Sequence, residues 1–140
     1  MKAEFLVAVH ALVYLNKHPQ LITSDRLSKS ICTNPAFVRR VMSKLRQAEL
    51  VATKEGIDGG YYLLRSAAAI DLRTVMKALD DSAVSLASQR SDVSSDCLMA
   101  QQMKQLMENL CQDLDDLCQQ KLQGITIGSL SLSINEKETF

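Results

Sequence analysis

The sequence predicts a mainly α-helical chain with one small β-hairpin, arranged as a winged helix-turn-helix domain followed by a long C-terminal helix. Three observations predict this fold class. Three short amphipathic segments follow one another through residue 48, a single glycine-punctuated hairpin occupies residues 50–64, and one continuous helical pattern runs through residues 98–122. A composition of 46% hydrophobic and 23% charged residues, with only five Gly and two Pro in 140 residues, is that of a folded domain and excludes a largely disordered or fibrous chain.

Each element has a local cause. Phe5, Leu6, Val9, Leu12, Val13 and Leu15 recur at helical spacing, so residues 3–16 form a helix that stops before Pro19. Thr23 or Ser24 caps a second, short helix carrying Leu27 and Ile31. Asn34 caps a third, and Pro35 fits its first position, where the missing N–H costs nothing. Phe37, Val38, Val41, Met42 and Leu45 form the inner side of that helix, interleaved with Arg39, Arg40, Lys44 and Arg46.

Leu50–Thr53 and Tyr61–Leu64 read as two strands joined by a turn containing Gly56, Gly59 and Gly60. Two strands alone are marginal in water, so the hairpin must lean on the helices. Asp71 caps a helix bearing Leu72, Val75, Met76 and Leu79, and residues 82–96, with six serines, read as a linker or exposed loop. In the long helix, Met103, Leu106, Leu110, Leu114 and Leu117 form a seam that Met107, Cys111 and Cys118 widen. Its seven-residue repeats indicate a coiled-coil-like pairing surface. Gly124 ends it, residues 125–134 form a short closing element of open type, and residues 135–140 fray. The expected organisation is a winged-helix domain over residues 1–80, a serine-rich linker over 81–96, and the pairing helix with its closing element over 97–140.

Whole-chain charge argues against a nucleic-acid binder, because 16 basic residues balance 16 acidic ones. Position reverses the argument. Residues 1–65 carry ten Lys/Arg and five Asp/Glu, a net of +5, and residues 66–140 carry six against eleven, a net of −5. The third helix has four cations and no acid from Asn34 through Ala48, whereas a merely solvated face mixes signs. A helix with this charge can enter a major groove with its N-terminal residues at base edges, while the hairpin lies along phosphates or in the minor groove.

Ala8-Val9-His10-Ala11-Leu12, Asn34-Pro35-Ala36-Phe37-Val38-Arg39-Arg40 and Gly56-x-x-Gly59-Gly60-Tyr61-x-Leu63 resemble the Rrf2 family of bacterial winged-helix transcription regulators. The resemblance extends over Ile70-Asp71-Leu72 and the long helix, nearly the whole chain. It implies a homodimer paired through the long helices and bound to a palindromic DNA operator, with repression as the expected mode. The family's base-contacting positions fall on Asn34, Ala36 and Arg39, and Arg40, Ser43 and Lys44 face or adjoin phosphate. Arg39 is the residue suited to bidentate contact with guanine. Ser24, Pro35, Gly59 and Gly60 complete the expected DNA-binding set, together with Lys54. Where relatives often carry Arg at the wing tip, this chain has Glu55, so Lys54 takes that role or the wing contributes less.

Cluster-binding members of that family carry three closely spaced cysteines before the long helix. This chain has Cys97 there, with Cys111 and Cys118 inside the helix and Cys32 in the helix-turn-helix turn. Cys97 to Cys111 is 14 residues, about 21 Å of continuous helix, which argues against an iron–sulfur cluster. No cofactor is expected. None of the cysteines forms a Cys-x-x-Cys pair, and in a reducing compartment all begin as thiols. Cys111 and Cys118 read as small core hydrophobes. Cys97 lies near a helix N-terminus, where the dipole attracts an anion and Asp96 repels one. Cys97 and Cys32 are therefore the redox candidates. A small effector or a protein partner is the competing means of control.

An enzyme is poorly supported. His10 and His18 are the only histidines, His10 sits on an apolar helix, and the glycine turn leads into a strand rather than a helix. The pairs Asp80-Asp81 and Asp115-Asp116 point apart on a helix and read as solvated charge. A protein-docking winged helix is the more serious rival. The longest apolar stretch, Phe5 to Leu15, is too short to span a bilayer, so the expectation is a cytoplasmic protein without membrane contact.

Overall fold

In a computed structural model, which describes residues 1–87 and 97–134, the chain folds into six α-helices, one 3-10 turn and a two-stranded sheet among those residues. The order is α1 (Ala3–Lys17), α2 (Ser24–Ile31), α3 (Pro35–Gln47), β1 (Val51–Lys54), β2 (Gly60–Leu63), a 3-10 turn (Ala67–Ala69), α4 (Leu72–Ala78), α5 (Leu98–Gln123) and α6 (Ile127–Ser133). No helix among the described residues is long and apolar enough to cross a membrane.

The core is built around α1. Phe5, Val7, Ala8, Ala11, Leu12, Val13 and Leu15 are buried on it, whereas Leu6 faces outward. Leu6 shares the helical spacing of the apolar residues of α1 yet lies outside the core. Because Ala8 and Ala11 bring neighbouring helices close, the buried arc passes through small residues and leaves Leu6 outside it. α2, α3, α4 and α6 all pack on α1, and Ile22, Leu27, Met42, Leu45, Leu50, Ile70 and Met76 complete a continuous interior. His10 joins the first two helices, its Nε2 sharing a 3.0 Å hydrogen bond with Ser30 Oγ. Burial lowers its pKa and so favours the neutral ring.

Caps account for most helix starts. Thr23, rather than Ser24, caps α2 and accepts the Arg26 N–H at 3.2 Å, and Asp71 Oδ1 accepts the Thr74 N–H at 2.8 Å. The closing element is helical. Thr126 and Ser129 form a reciprocal capping box, and α6 then turns back onto α1, where Asn16 donates to Ser131 Oγ at 2.9 Å.

Residues 81–84 are not the exposed loop that their serine-rich setting predicts. They are half-buried, and Asp115 Oδ1 on α5 accepts the Ala83 and Val84 N–H groups at 2.7 and 3.0 Å. Asp115 is therefore a structural acceptor rather than solvated charge. The rest of that serine-rich segment, residues 88–96, and the tail at 135–140 lie outside the described residues.

Candidate nucleic-acid interface

The start of α3 is fixed by its first two residues. Asn34 Oδ1 accepts the Ala36 N–H at 2.7 Å, and Pro35 occupies the first turn. A capping Asn is worth about 1 kcal/mol over Ala and holds Ala36 in a rigid first turn. The connection from α2 is equally tight. Cys32 adopts the left-handed conformation at φ 59°, and Thr33 N donates to Ser28 O at 3.0 Å. Its thiol is exposed, with Sγ 3.6 Å from the Lys29 carbonyl oxygen.

Val38, Val41, Met42 and Leu45 bury one side of α3 completely. The opposite arc carries Ala36, Arg39, Arg40, Ser43, Lys44, Arg46 and Gln47. At about 100° per residue, Ala36, Ser43 and Gln47 occupy its middle, Arg39 and Arg46 one flank, and Arg40 and Lys44 the other. The middle is thus small and uncharged, and cations stand on both sides.

The two flanks have different neighbours. Arg39 and Arg46 are on the hairpin side. Burial pushes the Tyr61 hydroxyl of β2 upward in pKa, and the positive charges of Arg39 and Arg46 oppose that rise. Arg40 and Lys44 are on the α1 side, where Glu4 holds both. Lys44 Nζ is 2.7 Å from Glu4 Oε2 and Arg40 Nε is 3.5 Å from Glu4 Oε1. The Arg40 guanidinium also lies 4.8 Å from the Phe37 ring centroid.

β1 and β2 pair antiparallel with Val51 opposite Leu63 and Lys54 opposite Gly60, one residue later in β1 and one earlier in β2 than the sequence pattern indicates. Leu50 falls outside the strand because its N–H turns back to Leu45 O at 3.0 Å, although its carbonyl still accepts the Leu64 N–H at 3.1 Å. The hairpin does lean on the helices. Tyr61 N donates to Ile22 O at 2.8 Å, and Ile22 N donates to Tyr61 O at 3.2 Å. Gly60 permits this approach, since a Cβ there would stand 2.7 Å from the Ile22 backbone. Gly59 closes the turn through a 3.1 Å bond from its N–H to Gly56 O. Both glycines therefore have a structural reason for being where they are. Lys54 is exposed at the end of β1, and the turn beyond it presents Glu55, Ile57 and Asp58 to solvent. Ser24 is half-exposed at the start of α2.

α5 is 26 residues long, about 39 Å. Residues 101–110 are exposed on every side, and Met103, Leu106, Met107, Leu110, Leu114 and Leu117 all present apolar surface. Cys111 and Cys118 are half-buried, and Cys97 is exposed at the helix N-cap.

Sequence reasoning missed Glu4 and Tyr61 as residues of this interface. Glu4 is 36 and 40 positions from its partners, so no local pattern signals the contact.

A family model for Rrf2, described as an iron-dependent transcriptional regulator, matches residues 1–132. The transcriptional regulator IscR of Vibrio vulnificus is 35% identical over 135 residues, covering 96% of this chain and 77% of that protein. IscR of Vibrio cholerae is 31% identical over 126 residues, covering 90% of this chain and 66% of that protein. The chain thus spans about two thirds to three quarters of the length of these relatives. The crystal structure of a candidate transcriptional regulator from Lactobacillus plantarum superposes with a TM-score of 0.79 at 24% identity, covering 98% of this chain and 93% of the other, a likeness of fold.

Iron dependence invites a test of the cysteines. Cys97, Cys111 and Cys118 are strung along one unbroken helix, with about 21 Å between the first two. Among the described residues, no three or more His, Cys, Asp or Glu side chains converge as metal ligands. The cysteines of a single copy do not fit a shared iron centre.

Proposed function

Because the chain belongs to the Rrf2 family of transcriptional regulators, we propose that it binds double-stranded DNA as a homodimer, with one α3 in each half of a palindromic operator, and acts as a repressor. One observation carries this reading. The exposed arc of α3 has a small, uncharged centre for close approach to base edges and cations on both flanks for phosphates. Ala36, Ser43 and Asn34 approach the bases, Arg39 reads a guanine, and Arg46 and Lys54 contact phosphate. The exposed seam of α5 is covered by the same seam of a second copy, and family membership supports that choice of occupant.

Titration of a random-sequence duplex at several salt concentrations tests the reading. Two phosphate-facing cations per head, Arg46 and Lys54, give four in a dimer and a slope of log K against log salt of about −3.6. Affinity should therefore fall about 150-fold between 50 and 200 mM salt. Absence of binding at low salt would assign the wing to protein docking instead.

A thiol switch completes the proposal, resting on the exposure of Cys97 at the base of the pairing helix. Peroxide takes the thiol to sulfenic acid with release of water, and a second thiol condenses with it to a disulfide, releasing another water. A covalent link at this position would reset the angle between the two reading heads. DNA affinity of the wild type should change on peroxide treatment, and that of Cys97→Ser should not. Equal responses of the two proteins reject the switch.

A further inference from the structure

Glu4 stands out because an acid lies inside the positive face of the reading head. Its side chain is only 16% exposed, and it bridges two consecutive turns of α3 by contacting Arg40 at 3.5 Å and Lys44 at 2.7 Å. A carboxylate so shielded from water attracts its partners more strongly than a surface pair does. Lys44 is the more tightly held, being shorter in contact and only 38% exposed against 63% for Arg40. On the opposite flank, Arg39 and Arg46 face a tyrosine and meet no such carboxylate among the described ion pairs.

We infer that Glu4 is a positioning residue that sets sequence-independent affinity, because it draws Arg40 and Lys44 into an internal ion-pair cluster and so withholds them from DNA phosphates. The inference rests on the DNA-binding reading above. Its physical content is a difference between two kinds of affinity. Phosphate contact is nearly independent of sequence, and base contact is not. Neutralising part of one flank from within the protein lowers affinity for every duplex while leaving base contacts at Arg39 and the α3 N-terminus in place. Operator and random binding fall by the same factor, so their ratio is unchanged and only the absolute affinity and its salt dependence move.

The test is the affinity of Glu4→Gln and wild type for a random-sequence duplex between 50 and 200 mM salt. The single charge of Glu4 offsets one cation's worth of the Arg40–Lys44 pair in each head, so its removal in a dimer steepens the slope by about 1.8. The variant's advantage over wild type should then be roughly twelvefold larger at 50 mM than at 200 mM. Preference for an operator over random DNA should be unchanged, and a change in it would place Glu4 in base readout instead. Adding Lys44→Gln to Glu4→Gln should return the slope toward wild type. Should Glu4→Gln not fold, Glu4→Asp keeps the charge but retracts it by one methylene, and an intermediate slope is expected. Parallel salt plots for folded wild type and variant, or weaker binding by the variant, overturn the inference. Failure of the wild type to bind any duplex at low salt is a different result, and it removes the DNA-binding reading itself.

Discussion

Leu110→Glu is expected to convert the protein from a particle of two chains to one of 15.5 kDa, the mass of a single chain. Leu110 sits at the middle of α5 with nearly half of its surface exposed, seven residues from Met103 on one side and Leu117 on the other. A glutamate there would bring a carboxylate from each copy into the same apolar seam, where each loses water and repels the other. The head should be unaffected, since residues 101–110 are exposed on every side in the single chain. Helicity and the melting temperature of the head should therefore be retained. DNA binding should fall by about 10²- to 10⁴-fold, because the second head would no longer be delivered at high effective concentration. Sedimentation and duplex titration on the same sample check both effects. An unchanged mass would assign the seam another occupant, and a monomeric wild type would reject pairing altogether.

Arg39→Ala carries the second large effect. Its guanidinium lies on the flank of α3 that Glu4 does not reach, one turn from the Asn34-capped start. That position suits a planar donor pair for the O6 and N7 atoms of guanine. On a duplex selected by the wild type from a randomised pool, each half-site should lose about 1–3 kcal/mol, or about 5- to 150-fold. Both halves of a palindrome are affected, and preference at one base position per half-site should flatten. Lys54→Ala provides the contrast, with a uniform loss across sequences and a shallower salt slope. If Arg39→Ala keeps the wild-type affinity and base preference, reading belongs to Asn34, Ala36 and Ser43 instead.

The elements with local causes were legible in the sequence. Asn34-Pro35 marks the start of α3, Asp71 the start of α4 and Gly124 the end of α5, because caps act within one turn. The hairpin was legible through Gly59 and Gly60, though its strands were displaced by one residue, since the Leu50 N–H is taken by the Leu45 carbonyl at the end of α3. The short apolar tail was not legible as a helix. Its Thr126–Ser129 box is a weak signal, and packing against α1 stabilises it.

The sequence by itself determined the order of elements, the cationic outer face of the reading helix and the apolar period of α5. These depend on spacings of three, four and seven residues, which the chain carries locally. Only the tertiary structure decided which cations remain available. Glu4 and Lys44 are 40 residues apart and meet at 2.7 Å because α1 and α3 pack together in the core. It also decided that Asp115 is an acceptor for backbone N–H groups rather than solvated charge, and that Gly60 serves the Ile22 backbone. Electrostatic attraction depends on distance in space, and distance in space is set by packing rather than by position along the chain.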